Sequence, residues 1–240
     1  MTLSDPEIGA ILAALARATG LVVTAPVVGD QGVPARAKLL FVVAIGIAVG
    51  TNRAPVSLAD APLVGALELA AGLLTGFVAR VIVSRVAIAG QLAGLSLGLG
   101  FASQYDAHAG ESAGILRTFA STLASLAFLM CGGLDAIVRS AAAAPASLDQ
   151  LAHLGPMLLA QGAAAFGHGL ALAAPLVLAA LAGNLGLAVM NRAAPAVNVF
   201  SISLGVVLVI GGLVLLATAS ELVSGAGAAA RDAITVLSGF

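Results

Sequence analysis

The sequence predicts an all-α, polytopic membrane protein built from long, kinked and closely packed helices with helical hairpins. Three features of its 240 residues lead to this prediction. Apolar residues make up 60% of the chain and charged residues 9%, against roughly 45–50% and about 25% in soluble domains. The mean hydropathy is +1.12, and apolar runs long enough to cross a bilayer follow one another. The chain also holds 29 glycines and no tryptophan.

The aromatic content indicates what surrounds these helices. Trp and Tyr normally form belts where lipid-facing helices meet water, but this chain has no Trp and a single Tyr. Small residues instead let helix backbones approach closely, so the composition favours a tight helical assembly within membrane lipid. The net charge of −1 provides no basic face, and we therefore expect no nucleic-acid partner.

The first apolar segment runs over residues 8–28 and carries Arg17 in its middle. A turn-rich stretch closes it, and a second, short apolar segment follows over residues 39–50. At about 1.5 Å per residue this second segment falls short of a hydrocarbon core of roughly 30 Å, unless flanking residues extend it. The structural corners and the basic residue of this region are Pro26, Gly29, Pro34 and Arg36.

The third apolar segment contains Glu68, Gly72 and Gly76, which lie four residues apart and so share one helix face. A carboxylate on such a face should point at a neighbouring helix or a wet cavity and not at lipid. One interpretation is a structural or gating ion pair, with Arg80 or Arg85 as its partner. The other is a residue near a helix end that reaches water, and the sequence does not choose between them.

The fourth segment carries the clearest packing signal, because Gly90, Gly94 and Gly98 repeat at every fourth position. A ridge of this kind permits two helix axes to approach closely. We therefore predict that these glycines pack against another helix.

The most polar interior stretch follows this ridge and contains Gln104, Tyr105, Asp106, His108 and Glu111. Three of these are metal-ligand types, but no further histidine stands at ligand spacing, so a solvated loop is the better interpretation. The chain also shows no phosphate-binding loop and no nucleophile–base pair. The sequence thus predicts no catalytic residue, no cofactor and no metal site.

A fifth apolar segment, over residues 116–138, includes Cys131, which we expect to be a buried, inert thiol. The linker after it offers Ser147 as a helix cap. Residues 150–191 then carry no formal charge over 42 positions, about 60 Å of helix. This run must tilt, kink, project beyond the bilayer or double back. Its candidate break points are residues 167–169, Pro175 and residues 183–184.

A polar corner separates this run from a final apolar span over residues 197–219, and residues 221–240 form an amphipathic tail. Pro195 lacks an amide hydrogen and should end the helix. Arg192 cannot lose its charge, so it needs a polar or acidic neighbour, and we expect it to be buried against other protein chains. The corner residues are Arg192, Pro195, Asn198 and Phe200.

The order of these features along the chain resembles the pattern of the FliR family of flagellar export-gate proteins. Paralogues of this family serve injectisome type III secretion. The resemblance covers nearly the whole chain. Near the N-terminus it rests on Arg17, Gly20, Pro26, Gly29, Val33, Pro34, Arg36 and Lys38. It continues through Glu68, Gly72 and Gly76, the glycine-rich helix that leads to Asp106, the Ala174–Pro175 pair and the corner from Asn191 to Phe200. The chain departs from the family at Ala196, where a glutamine is frequent.

The resemblance implies a non-enzymatic subunit that assembles with FliP and FliQ homologues, and with an FlhB-type gate protein, into a closed channel for unfolded flagellar proteins. The location would be the bacterial inner membrane, at the flagellar basal body. Residues 1–150 would form a FliP-like part, and residues 151–240 a FliQ-like helical hairpin with its tail. The loop with Gln104, Tyr105, Asp106, His108 and Glu111 would help to plug the channel.

Two alternatives stay open. An injectisome gate subunit would share the same pattern, although the Asn-Arg-x-x-Pro-x-x-Asn-x-Phe corner favours the flagellar system. A small-solute secondary transporter would explain broken helices and isolated charges such as Glu68 and Arg192. Transporters of that kind usually contain an internal repeat, and the sequence shows none.

Overall fold

A computed structural model of the chain describes residues 4–98, 114–193 and 199–239. These residues form eight α-helices and no strand, which confirms the predicted all-α class. The helices are α1 Asp5–Thr24, α2 Ala35–Gly50, α3 Ala61–Ser96, α4 Ile115–Met130, α5 Gly133–Ala142, α6 Leu148–Ala193, α7 Val199–Ala217 and α8 Ala219–Ser238.

Three of these helices, α1, α3 and α6, are long and apolar enough to cross a membrane. The count rises to five if each of two bent pairs is one span: α4 with α5, bent by 62°, and α7 with α8, bent by 59°. Helix α2 has 16 residues and is not among them. The prediction of a polytopic membrane protein is therefore confirmed.

The helices are distributed over two compact units, which are described separately. Unit 1 comprises Met1–Val83, Ser125–Ala164 and Ala229–Phe240, and unit 2 comprises Ser84–Ala124 and Ala165–Ala228.

In unit 1, α1 and α3 pack with their backbones in contact. A β-carbon at Gly72 would collide with the carbonyl oxygen of Arg17, and one at Gly76 would collide with the Thr24 hydroxyl. The Thr24 hydroxyl lies 3.0 Å from the carbonyl oxygen of Leu73. Because glycine has no side chain, it allows this close approach, and Glu68 on the same face of α3 is brought close to α1.

The turn after α1 is strained at Val27. Its φ is +67°, and the N–H of Val28 donates to the carbonyl of Pro26 at 2.8 Å. This is a γ-turn of the rare, strained form, centred on a β-branched residue that disfavours positive φ. Two outside contacts brace the turn: Lys38 Nζ donates to the Gly29 carbonyl at 3.0 Å, and Arg80 pairs with Asp30 at 2.7 Å.

The segment predicted over residues 116–138 is split in two. Gly132 has φ +91° and caps the start of α5, so α4 ends at Met130 and the chain bends. A left-handed conformation of this kind is readily adopted only by glycine. The expectation that Cys131 is buried is wrong, because the thiol is exposed at this bend.

In unit 2, the end of α3 packs against α6 and α7. Their shared core consists of Ala93, Leu97, Leu176, Ala180, Leu187 and Val207. A β-carbon at Gly90 would lie 2.5 Å from the carbonyl oxygen of Leu116 on α4, whereas one at Gly94 would make only an ordinary contact with Leu116. Gly98 differs from the prediction, since α3 ends at Ser96 and Gly98 lies in the following turn with φ +74°.

The helix is not interrupted at any of the break points predicted between residues 150 and 191. Helix α6 continues over 46 residues, about 69 Å at the helical rise, which is more than twice a hydrocarbon core of roughly 30 Å. The segment therefore does not double back. Pro175 removes one backbone hydrogen bond, but the helix continues on both sides of it.

The predicted amphipathic tail is confirmed as helix α8. Its buried residues recur at helical spacing, and its charged residues lie on the opposite face, where Arg231 and Asp232 are exposed. The buried face consists of Ala226, Ala229, Ala230, Ala233, Val236 and Leu237.

Candidate functional site

The most unusual feature of unit 1 is a buried carboxylate between two guanidinium groups. Glu68 Oε2 lies 2.6 Å from Arg17 Nε and 3.0 Å from Arg53 Nη1. The Glu68 side chain is completely buried, and those of Arg17 and Arg53 are 5% and 9% exposed. Charged side chains are almost never buried to this degree unless they are paired. Each of the three side chains can therefore stay buried only because the opposite charge lies beside it.

Both arginines also bind the C-terminal end of α5. Arg17 Nη1 donates to the carbonyl of Ala143 at 3.1 Å, and Arg53 Nη2 donates to the carbonyls of Ala141 and Ala143, each at 3.0 Å. The last carbonyls of a helix have no partner within it, and they carry a partial negative charge. The two arginines thus supply both the missing donors and the opposite charge.

The second oxygen of Glu68 holds the linker that joins α5 to α6. The backbone N–H of Ala146 donates to Glu68 Oε1 at 2.9 Å. Directly after it, the N–H of Ser147 donates to Gln150 Oε1 at 3.1 Å, and the N–H of Gln150 donates to the Ser147 hydroxyl at 3.3 Å. This reciprocal capping box confirms Ser147 as the predicted cap of α6.

The cluster therefore ties four parts of the chain together at one point. Arg17 belongs to α1, Arg53 to the turn after α2, Glu68 to α3, and the carbonyls and amide that complete the cluster to the α5–α6 linker. Burying each ion costs on the order of several kcal/mol, which offsets much of the attraction between the charges. The cluster therefore contributes little net stability, and its main effect is to fix the relative positions of the segments that it joins. Its chemistry is to position backbone segments.

Sequence reasoning directed Glu68 away from lipid but left open whether it pairs with Arg80 or Arg85 or reaches water, whereas the structure pairs it with Arg17 and Arg53. Arg80 instead pairs with Asp30. Glu68 and Arg80 lie on the same helix and are separated by about 18 Å of helical rise, which excludes a contact. The signal that could have identified Arg17 was present, because an ionisable residue in the middle of an apolar segment calls for a buried partner. Arg53 sits in a polar turn and gave no such signal.

The remaining predicted residues of unit 1 belong to the turn between α1 and α2 and to the start of α2. Pro26 is buried, Pro34 is exposed and precedes the first residue of α2, and Arg36 is exposed on α2. A β-carbon at Gly29 would lie 2.5 Å from the carbonyl oxygen of Val23, so the turn closes back onto the end of α1.

Several predicted residues fall outside the described part of the chain. These are Gln104, Tyr105, Asp106, His108 and Glu111 of the polar loop, together with Pro195 and Asn198 of the corner. Phe200 lies in the first turn of α7, and its side chain is likewise outside the described part.

Arg192 lies in the last turn of α6 and is exposed in the single chain. A cation at this position faces the partial negative charge of the helix end. Within residues 4–98, 114–193 and 199–239, no group of three or more His, Cys, Asp or Glu side chains could hold a metal ion.

Comparisons of the sequence with known proteins all lead to the same family. The family described as "Bacterial export proteins, family 1" matches residues 8–232. The flagellar biosynthetic protein FliR of Escherichia coli (strain K12) is 30% identical over 206 residues, which cover 82% of this chain and 79% of that protein. FliR of Aquifex aeolicus is 31% identical over 210 residues, 83% and 81% of the two chains. FliR of Caulobacter vibrioides is 30% identical over 211 residues, 82% of each.

Proposed function

The chain belongs to the bacterial export proteins, family 1, and on this premise we propose that it is a subunit of the flagellar type III protein export gate. The single observation that carries the proposal is the family match over residues 8–232, with FliR relatives that cover about four fifths of the chain. The chain is thereby a membrane-embedded component of the flagellar export apparatus. We infer that its role is to form part of a channel and not to catalyse a reaction.

We propose that the chain assembles with FliP and FliQ homologues, and contacts an FlhB-type protein, in the bacterial inner membrane at the flagellar basal body. Large apolar side chains are exposed along α6 and α7, and in a membrane either lipid or partner subunits must cover them. Examples are Leu159, Leu181 and Leu185 on α6 and Val209 and Leu216 on α7, each more than 60% exposed. The absence of Trp from the chain, which leaves it without the usual aromatic belts of lipid-facing helices, favours partner subunits. Unfolded flagellar proteins would be the substrates of the channel.

We also propose that residues 1–150 form a FliP-like part and residues 151–240 a FliQ-like hairpin with its tail. In support, α6 and α7 share one hydrophobic core in unit 2, which includes Leu187 and Val207. The polar corner with Arg192, Pro195, Asn198 and Phe200 would then be the turn of the hairpin.

The polar loop that contains Gln104, Tyr105, Asp106, His108 and Glu111 is proposed as part of the channel plug. Its polarity and its position after the glycine-rich end of α3 support this role. Deletion of residues 105–112 should make the closed gate leak small ions or alter export. Unchanged ion permeability together with unchanged motility would contradict the plug role.

The experiment that tests the function combines complementation with co-purification. In a flagellated bacterium made non-motile by deletion of its own FliR, this chain should restore export of flagellar proteins and swimming. An affinity tag on it should co-purify FliP and FliQ homologues in detergent. A chain that restores injectisome secretion in a host lacking its own injectisome counterpart, but does not restore motility, would favour the injectisome gate. A chain that purifies alone and binds a small solute would favour a transporter.

A further inference from the structure

We propose that unit 1 contains a binding site for one ordered water molecule, in a small cavity lined in part by Arg17. The cavity has a volume of about 10 Å³. Its polar wall is formed by four residues from four different helices: Arg17 of α1, Thr75 of α3, Ser140 of α5 and Gln150 of α6. The site does not depend on the export function, because it is argued from the hydrogen bonding of this chain alone.

The size of the cavity matches a single water molecule. A protein cavity needs roughly 10–15 Å³ to hold one water, and this cavity lies at that threshold. A dry cavity of this size would normally be lined by aliphatic side chains only. Here Ala71, Gly72 and Leu154 form the apolar part of the wall, which makes up most of its surface, and the four polar side chains form the rest.

The polar groups around the cavity have unused hydrogen-bonding capacity. Thr75 and Ser140 are each 3% exposed, and among the described residues neither hydroxyl makes a hydrogen bond with a protein group. Buried polar groups are nearly always paired with protein or with ordered water. A helical hydroxyl often donates to the carbonyl three or four residues earlier, as those of Thr19 and Thr24 do. Within the described part of the chain those of Thr75 and Ser140 make no such bond, and water is the partner that the cavity can supply.

The donors and acceptors around the cavity also match the capacity of one water. A guanidinium has five N–H donors and a glutamine amide has two. Arg17 uses Nη1 for backbone carbonyls, and Gln150 uses its oxygen to cap α6, which leaves Arg17 Nη2 and Gln150 Nε2 to donate. A water that accepts from these groups can donate its two hydrogens to the hydroxyls of Thr75 and Ser140.

The neighbouring charges favour a neutral ligand. Arg17 and Arg53 would repel a cation from this position, and the cavity is too small for an anion larger than water. The Glu68 carboxylate already neutralises part of the arginine charge. The proposed water therefore links Thr75 of α3, Ser140 of α5 and Gln150 of α6 to Arg17 of α1.

The test compares two substitutions at Thr75 in the full chain, purified in detergent with whichever partners it retains. Thr75→Val keeps the volume of the side chain but removes the hydroxyl, whereas Thr75→Ser keeps the hydroxyl but removes the methyl group. We expect the midpoint of thermal unfolding to be lower for Thr75→Val than for Thr75→Ser. Thr19→Val is the matched control, because the exposed Thr19 hydroxyl bonds only to the carbonyl of Leu15.

A Thr75→Val midpoint equal to or above that of Thr75→Ser would overturn the proposal, because methyl packing and not a water contact would then dominate the site. If Thr75→Val does not fold, Ser140→Ala replaces it, and a midpoint no lower than that of the parent chain would have the same meaning. A structure of the parent chain at a resolution that shows ordered waters should show one at about 3 Å from Thr75 Oγ1. Its absence, with other buried waters visible, would equally overturn the proposal.

Discussion

Arg17 Nε on α1 lies 2.6 Å from Glu68 Oε2 on α3, and this ion pair is inaccessible to solvent. It exists because Gly72, one turn after Glu68, lets the backbone of α3 rest against the carbonyl of Arg17. Close glycine packing and a buried ion pair are thus two parts of one contact. The glycine packing excludes bulk water from the contact, and the ion pair compensates the charges that are buried there.

Substitution Glu68→Gln tests the central carboxylate. The amide oxygen can still accept from the N–H of Ala146, but the charges of Arg17 and Arg53 are left buried without compensation. Breaking such a cluster costs about 3–5 kcal/mol, so we expect a strongly lowered unfolding midpoint, little purified complex and loss of export. The control is Asp135→Asn, whose partner Arg139 is on the surface. It should change stability by no more than about 0.5 kcal/mol, and equal effects of both substitutions would contradict the role of burial.

Substitution Arg53→Lys tests the contact with the end of α5. The guanidinium binds Glu68 and two carbonyls at once, whereas an ammonium is a point charge that cannot reproduce this fork of donors. We expect a loss on the order of 1–3 kcal/mol and faster amide hydrogen exchange over residues 141–146. The matched control is Arg80→Lys, whose half-exposed pair with Asp30 should lose less than about 1 kcal/mol. Unchanged exchange in Arg53→Lys would show that the arginine does not hold the linker.

Substitution Gly72→Ala tests the close approach of α1 and α3. The new β-carbon would meet the backbone of Arg17 and Leu21, and backbone cannot move aside as a flexible side chain can. Overpacking of this kind costs about 1–3 kcal/mol, which a thermal unfolding curve in detergent would measure. Gly162→Ala is the control, since a β-carbon there meets nothing within 4 Å. A Gly72→Ala variant as stable as this control would exclude a tight contact.

Substitution Val27→Gly tests the strain in the turn after α1. Glycine adopts positive φ without a steric penalty, so the variant should recover about 1–2 kcal/mol of strain. Part of this gain is offset by up to about 1 kcal/mol through the greater freedom of the unfolded chain. We expect stability that is unchanged or slightly raised. The neighbouring Val28→Gly, at a buried residue without positive φ, should instead lose about 1.5–3 kcal/mol, and a loss of that size in Val27→Gly would argue against strain.

Much of the fold was predictable because it follows from local or compositional properties. The apolar runs predicted membrane helices, the spacing of Gly72 and Gly76 marked a packing face, and Ser147 marked a helix start. Each of these signals lies within a few residues of the feature that it predicts. The family resemblance likewise rested on an ordered set of residues, which the match over residues 8–232 confirmed.

The features that the sequence did not predict depend on tertiary contacts or on the balance of many small energy contributions. Pro175 and the glycines of α6 are helix-weakening residues, but in an apolar environment the cost of exposing unpaired backbone groups keeps the helix intact around them. Conversely, the bend at Gly132 occurs inside an apolar run, where hydropathy gives no reason for a break. Whether a glycine packs, bends or merely continues a helix is decided by what lies next to it.

The sequence by itself determined that this chain is an all-α membrane protein of the export family and that Glu68 points away from lipid, towards a neighbouring helix or water. Only the tertiary structure decided that the partners are Arg17 and Arg53 and that the cluster ends on the carbonyls of α5. The physical reason is that the need for a partner is a property of one buried charge, whereas its identity depends on which helices approach it. That approach is set by backbone packing between α1 and α3, over distances in the sequence that local patterns do not encode.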